Sequence, residues 1–233
     1  MPLYSINGPR LNQTLEELGH IGESPDGMNR VAYSQEDILG RNYSIDLMRD
    51  AGLETRIDTA GNIIGRISGL DDNLPAIAIG SHTDTVPKGG KYDGALGGMA
   101  AIEVMRTLRE QGHHTRHPIE VINFTNEEGT RFHRWLVGSR SMSGMLGQED
   151  LDAVDDNGNE LGPCLADIGG DMSRISESAR KPGELAAYFE LHIEQGPYLH
   201  NSGTPIGVVT GITGRAVFEI EIEGKANHAG TTP

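Results

Sequence analysis

The sequence predicts an α/β fold in three layers, with helices on both faces of a central sheet. Three observations carry this expectation. Strand-like and helix-like patterns alternate from residue 53 to residue 125. The apolar run Ala76-Ile77-Ala78-Ile79 and the β-branched segment Ile119–Thr125 read as buried strands on either side of a helical stretch. Each of those strands runs into a polar cluster, and open α/β sheets keep their sites at the carboxyl ends of strands.

Taken in order, the elements begin with Leu11, Leu15 and Leu18 at helical spacing within residues 10–20. Gly22–Asn29 reads as loop. Ser34-Gln-Glu-Asp37 resembles a capping box, and Ile38, Tyr43, Leu47 and Met48 continue one face until Gly52 ends the helix. Leu53–Asp58 and Asn62–Ile67 form a hairpin pattern around Ala60-Gly61. After a turn at Asp71-Asp72-Asn73 comes the Ala76–Ile79 strand, then a loop rich in potential ligands, His82, Asp84 and Asp93. From Ala95 to Gln111 the residues Leu96, Met99, Ala100, Val104, Met105 and Leu108 share a helical face, and Gly112 stops it. Asp93 stands where an N-cap would. Ile119–Thr125 leads directly into Asn126-Glu127-Glu128-Gly129.

Residues 133–182 predict several short helices and an acidic surface loop around Asp155–Gly158. Ala186–Leu191 is a further strand that delivers His192-Ile-Glu-Gln-Gly196, and Ile206–Thr210 follows. Phe218–Glu223 alternates with period two, a strand with one wet face. Such a strand needs a partner to cover its apolar side, so the chain is expected to be the first part of a longer one.

Composition narrows the function. The chain has 233 residues, enough to bury about 70 per cent of its unfolded surface without staples. Its 34 acidic against 19 basic residues give a net charge of -15, which argues against nucleic acid or an anionic membrane as partner. A single cysteine, Cys164, excludes an internal disulfide and suits a reducing, cytoplasmic setting. No apolar run approaches the roughly 20 residues of a membrane span. The N-terminus has neither the basic nor the apolar region of a signal peptide.

Singly, the polar clusters are unremarkable. His82 alone reads as a satisfied structural histidine, Glu127-Glu128 as a solvated turn, and His192 with Glu194 as strand-end polarity. His20, His113, His114, His117, His133 and His200 read as surface residues, and Cys164 as buried. Together they mean more, because three strands each end in imidazole and carboxylate. Adjacent glutamates near an aspartate repel one another unless a cation is present. A pair of divalent ions resolves that repulsion, given a bridging carboxylate, a bridging water and one free acid to take the water's proton. His82, Asp93, Glu128 and His192 are the candidate ligands and Glu127 the free acid, leaving a fifth ligand unaccounted for.

Four motifs then carry a resemblance. Ser-His82-Thr-Asp84-Thr-Val-Pro with Asp93-Gly, Thr-Asn-Glu127-Glu128-Gly-Thr-Arg-Phe, Glu-Leu-His192-Ile-Glu-Gln195-Gly and Gly-Lys-Ala-Asn-His228-Ala-Gly-Thr-Thr-Pro resemble the N-carbamoyl-L-amino-acid hydrolases. That family includes allantoate amidohydrolases and β-ureidopropionases and is a branch of the aminoacylase and carboxypeptidase-G type binuclear zinc hydrolases. The resemblance implies a catalytic domain over residues 1–212 and the start of a smaller α+β lid or dimerisation domain over 213–233. It implies two divalent ions per subunit, zinc or manganese, with cobalt and nickel as alternatives. His82 and His192 would bind opposite ions, each sharing Asp93 or paired with it. One assignment puts Asp93 and His192 on one ion, another puts Asp93 and Glu128 on an ion together, and which ion His82 joins stays open. Asp84 would orient His82 through its ring N–H, and Glu127 would be the general acid/base. Gln195 and His228 would contact substrate, His228 reaching from the small domain, usually of the partner subunit, to stabilise the oxyanion. Arg215 is a candidate for gripping a substrate carboxylate.

The implied substrate is a small ureido compound, hydrolysed by an enzyme that is a homodimer when full length. The deacylase and dipeptidase branches place a carboxylate ligand where this chain has His192, so the imidazole points to ureido substrates. Thr-Asn-Glu-Glu-Gly stands nearer to carbamoylases and ureidopropionases than to allantoate enzymes. The family's remaining ligand histidine would lie beyond Pro233. The rival expectations are an aminoacylase or dipeptidase with the same chemistry, and a metal-free binding module.

Overall fold

The structure is a computed structural model that describes residues 4–214, 216, 218 and 220–232. It divides into two compact units, Met1–Gln195 and Gly196–Pro233.

The first unit is built on a five-stranded mixed sheet with helices on both faces, as the alternating patterns predict. Helix α1 (Gly8–Gly19) starts at Asn7, whose side chain accepts Arg10 N at 3.1 Å. A two-residue hairpin, β1 (Glu23–Ser24) and β2 (Gly27–Met28), occupies the segment expected as loop. Helix α2 (Gln35–Asp50) is capped by Ser34, which accepts Asp37 N at 3.1 Å. The other half of the expected box is displaced by one residue, since the Asp37 carboxylate accepts Tyr33 N at 2.8 Å.

Strands β3 (Glu54–Ile57) and β4 (Ile63–Ile67) form the expected hairpin. Then come β5 (Ala76–His82), helix α3 (Ala95–Glu110) and β6 (Ile119–Phe124). The 133–182 stretch forms α4 (Val137–Met142), α5 (Gln148–Leu151), α6 (Leu161–Asp167) and a 3-10 turn at Met172–Ser178, before β7 (Leu185–Phe189). Strand order is β3-β4-β6-β5-β7, with β6, β5 and β7 mutually parallel and the β3–β4–β6 pairs antiparallel.

The alternation of side chains on β4 and β6 sorts the core. Ile63 and Val121 join Leu15, Met48, Met99 and Met105 under α1, α2 and α3. Ile64 and Ile122 point to the other face and pack with Ala78 and Met142. Phe132, Leu161 and Leu165 extend that second layer. The connection β5–α3–β6 leaves β5 toward one side, whereas β7 returns to pair on its other side. The strand order therefore reverses at β5, the place where ligands settle in doubly wound sheets.

In the second unit, α7 (Tyr198–Ser202) is the one helix among the described residues. No described residue of 203–232 lies in a strand, those of the strand expected at Phe218–Glu223 included. Phe218, Ile220 and Ile222 stay exposed, consistent with an alternating segment that has no sheet to pair with.

Candidate metal centre

The parallel register brings the polar clusters together. His82 is the last residue of β5 and is paired in register with Phe124, the last of β6, while Ile79 pairs with Phe189 at the end of β7. Three neighbouring strands thus discharge Thr83–Asp93, Thr125–Glu128 and Glu190–Gln195 from the same edge. His82 belongs to the strand rather than to the loop, which buries it to 2% exposure.

Both imidazoles present the same nitrogen. His82 Nδ1 lies 3.0 Å from the Asp84 carbonyl oxygen and His192 Nδ1 lies 3.0 Å from that of Ile193. A carbonyl only accepts, so each Nδ1 carries a proton, and Nε2 is the nitrogen that can offer a lone pair to a metal once its own proton is displaced. His82 Nε2 is 3.5 Å from Glu127 Oε2, and His192 Nε2 is 3.2 Å from Asp93 Oδ1. The two rings stack with centroids 6.1 Å apart. Ligand atoms of His82, Asp93 and His192 all lie within 4.8 Å of one another, and so do those of His82, Glu127 and Glu128. His82 belongs to both groups.

The loops explain how these atoms are aimed. Asp93 does not cap α3. The cap position falls on Gly94, with φ +62°, and no side chain caps the helix. The Asp93 carboxylate instead takes His192 on one oxygen and Gln195 Nε2, at 2.6 Å, on the other. A Cβ at Gly94 would lie 2.3 Å from the His82 ring, so only glycine lets the start of α3 run this close to the imidazole. Asp84, 2% exposed, accepts Glu127 N at 3.2 Å and Glu128 N at 3.1 Å. Its carboxylate reaches His82 Nδ1 only at 3.6 Å, so its nearer partners are the two glutamate amides.

Electrostatics mark the same place. Burial pulls His82 down, yet the Asp84 and Glu127 carboxylates outweigh it and lift it to about 9. Burial pushes Glu128 up, and with Glu127, Asp93 and Asp84 adding to the rise against His82, it reaches about 7. Glu127 is raised too, by burial first. Among the described residues no Lys or Arg nitrogen lies within 4.0 Å of Asp84, Asp93, Glu127 or Glu128. Two imidazoles and several carboxylates, converging with no lysine or arginine among the described residues in direct contact, are a donor set that fits a borderline divalent metal.

The structure therefore assembles His82, Asp84, Asp93, Glu127, Glu128, His192 and Gln195. His228 lies in the second unit, exposed, with its Nδ1 accepting Gly230 N at 3.1 Å. Arg215 lies outside the described residues. Sequence reasoning gave no role to one acid and two hydroxyls beside the site: Tyr188 donates to Glu190 Oε2 at 3.0 Å, and Ser81 donates to Glu190 Oε1 at 2.6 Å. Glu190 directly precedes the Leu-His192 motif, which was the available signal. A cavity of about 510 Å³ opens beside His82 and Glu127, walled by Phe124, Met142, Leu185 and Tyr188.

The mixed α/β fold agrees with the known proteins that this chain resembles. The model of peptidase family M20/M25/M40 matches residues 78–232, and the chain belongs to that family. Enzymes of the family are generally metal-dependent. The chain is 44% identical to an N-carbamoyl-L-amino acid amidohydrolase of Geobacillus stearothermophilus, covering 98% of this chain and 56% of the relative. It is 35% identical to an allantoate deiminase of Arabidopsis thaliana, covering 94% of this chain and 42% of that one. The crystal structure of a hydantoinase/carbamoylase family amidase from Burkholderia ambifaria superposes with a TM-score of 0.79 at 40% identity, over 87% of this chain and 49% of that chain. The chain thus spans about half the length of the curated relatives it matches. Among the described residues no helix is long and apolar enough to cross a membrane.

Proposed function

We propose that the chain carries most of the catalytic part of a metal-dependent amidohydrolase that cleaves a linear C–N bond of an N-carbamoyl-L-amino acid. The products would be the amino acid, ammonia and carbon dioxide. One observation carries this reading: buried His82 is shared by two candidate ligand groups, one with Asp93 and His192 and one with Glu127 and Glu128.

In this reading His82, Asp93, Glu128 and His192 hold two divalent ions, zinc or manganese. When bound, such ions polarise a carbonyl and lower the pKa of water. The remaining steps belong to this chain's side chains. Glu127, half-buried and raised above the ordinary carboxylate range, accepts a proton from the attacking water and passes it to the departing nitrogen. Asp84 holds the Glu127–Glu128 backbone in place through two amide hydrogen bonds. Gln195 positions Asp93 and faces the substrate side of the centre. His228 and Arg215 are assigned to oxyanion and carboxylate recognition, with residues 213–233 beginning a lid and dimerisation domain and 1–212 forming the catalytic part. A homodimer in the cytoplasm is the setting that a lone cysteine and the family resemblance support.

The Arabidopsis relative favours allantoate as a second substrate. Assays with N-carbamoyl amino acids, allantoate and N-acetyl amino acids side by side separate the readings, and preference for the N-acetyl series would discard the ureido one. Glu127→Gln is expected to retain bound metal while turnover falls by about 10²–10⁴-fold. Turnover equal to that of the parent protein would remove Glu127 from its role.

A further inference from the structure

The segment that leaves β5 after His82 and carries Asp84 is gripped from beneath by a side chain outside the donor set. Arg30 is fully buried. Its Nε donates to Thr83 O at 2.6 Å, and its Nη1 to Leu18 O at 3.0 Å and Ile21 O at 2.7 Å. Its backbone completes the grip, donating N–H to Thr85 Oγ1 at 3.0 Å and accepting Thr85 N at 2.9 Å. One residue therefore fixes the chain on both sides of Asp84. Asp84 in turn holds the amides of Glu127 and Glu128, so a chain of direct bonds links Arg30 to both site loops.

Arg30 is also seated from the far side. A Cβ at Gly40 in helix α2 would lie 2.6 Å from Arg30 Cδ and 3.2 Å from its Nε. Glycine is a poor residue for a helix interior, and here it makes room for the arginine stem. That stem cannot swing aside, because its guanidinium is tied to three carbonyls. Burial lowers the Arg30 pKa to about 10, with Asp37 and Asp84 opposing, so the side chain remains a cation at neutral pH.

We propose that Arg30, seated on Gly40, is a positioning residue for the candidate metal centre: it sets Thr83–Thr85 and, through Asp84, the Glu127–Glu128 pair in the geometry that receives a divalent ion. The inference rests on the metal reading above for its affinity readout, and on the apo chain for its second readout.

The test uses Arg30→Met, Arg30→Lys and Gly40→Ala in the 233-residue chain. Zinc binding is measured by equilibrium dialysis, and amide hydrogen exchange is measured without metal. Zinc affinity is expected to fall about 10–100-fold in Arg30→Met, the range for residues that orient ligands. Arg30→Lys, which keeps the charge, should recover part of it. Gly40→Ala should also bind zinc more weakly, although alanine favours the helix. Exchange should quicken at the Thr85, Glu127 and Glu128 amides while Val121 on β6 keeps its protection. A folded Arg30→Met with zinc affinity within twofold of the parent and unchanged exchange at those amides overturns the proposal. If Arg30→Met does not fold, a folded Gly40→Ala with parental affinity and exchange overturns it equally. Should the parent chain bind no zinc, the metal reading fails and exchange alone decides. Acceleration confined to the two loops then supports positioning by Arg30, and uniform or absent acceleration sinks it.

Discussion

The two ends of β6 treat a buried acid in opposite ways. At the start, Glu120 is 2% exposed and is met by two guanidinium groups, Arg66 Nη1 at 3.2 Å and Arg180 Nη2 at 2.5 Å. Arg66 stands directly across the antiparallel β4 ladder, the position from which cross-strand charges pair. At the other end, Glu127 and Glu128 face Asp84, Asp93 and His82, and among the described residues no arginine or lysine neutralises them. The strand therefore carries one carboxylate that two arginines balance, and the loop just past its end carries two that meet an imidazole and other acids. A fold that can place arginines beside a buried glutamate, and does not at the edge where three strands converge, reserves that edge for a cation from outside.

The sharpest way to break this contrast is to unbalance the balanced end. Arg180→Ala leaves Glu120 buried with Arg66 alone, and losing one partner of a buried pair costs about 3 kcal/mol or more. Urea unfolding should show that loss with zinc affinity unchanged. A midpoint equal to the parent's would mean that Glu120 is not balanced by Arg180. The unbalanced end should respond the other way. Asp93→Ala is expected to lower zinc affinity at least about 100-fold, near 2.7 kcal/mol, because its carboxylate belongs to a candidate ligand group. Its stability without metal should stay within about 0.5 kcal/mol of the parent, since the residue is partly exposed and its partners, His192 and Gln195, are on the surface. Two ions still bound per chain would contradict a shared aspartate.

How much of this could be read in the sequence follows from what each feature depends on. The strands β5 and β6, the helix between them and the clusters that follow are local patterns, and each is found where the periodicity puts it. The burial of His82 was not legible, because it depends on β5 running three residues past its last pair with β7, still paired to Phe124 of β6. Asp93 reads as a cap from its position alone, and only the approach of His192 and Gln195 turns its carboxylate elsewhere. No sequence pattern singles out Arg30. Its burial depends on three carbonyls from distant segments and on a glycine in another helix, none of which leaves a periodic trace. Phe218–Glu223 failed for the converse reason: its alternation is clear, but a strand is a property of two segments and the described residues supply one.

The smallest effect compares two further acids, and its sign differs between them. Asp150 is gripped by Arg140 through both oxygens, at 2.7 and 2.8 Å. Burial raises its pKa, but the Arg140 bonds outweigh that and hold it below the ordinary carboxylate value. Its stabilising contribution is therefore present at neutral pH and is lost as pH falls through the lowered value. Asp37 is pushed up to about 6 by burial, against Arg41, with Asp84 adding to the rise. Between its ordinary value near 3.8 and about 6, the folded chain binds the proton that the unfolded chain has released. Its contribution is thus present at low pH and is lost as pH rises through about 6. Asp37→Asn, which can still accept Tyr33 N, should flatten the fall in melting temperature between pH 4 and 7 by several degrees. Asp150→Asn should leave that window alone and flatten the acid limb instead. Identical profiles for the two variants would show that the balance of burial against the neighbouring arginine does not decide which way a buried carboxylate in this fold titrates.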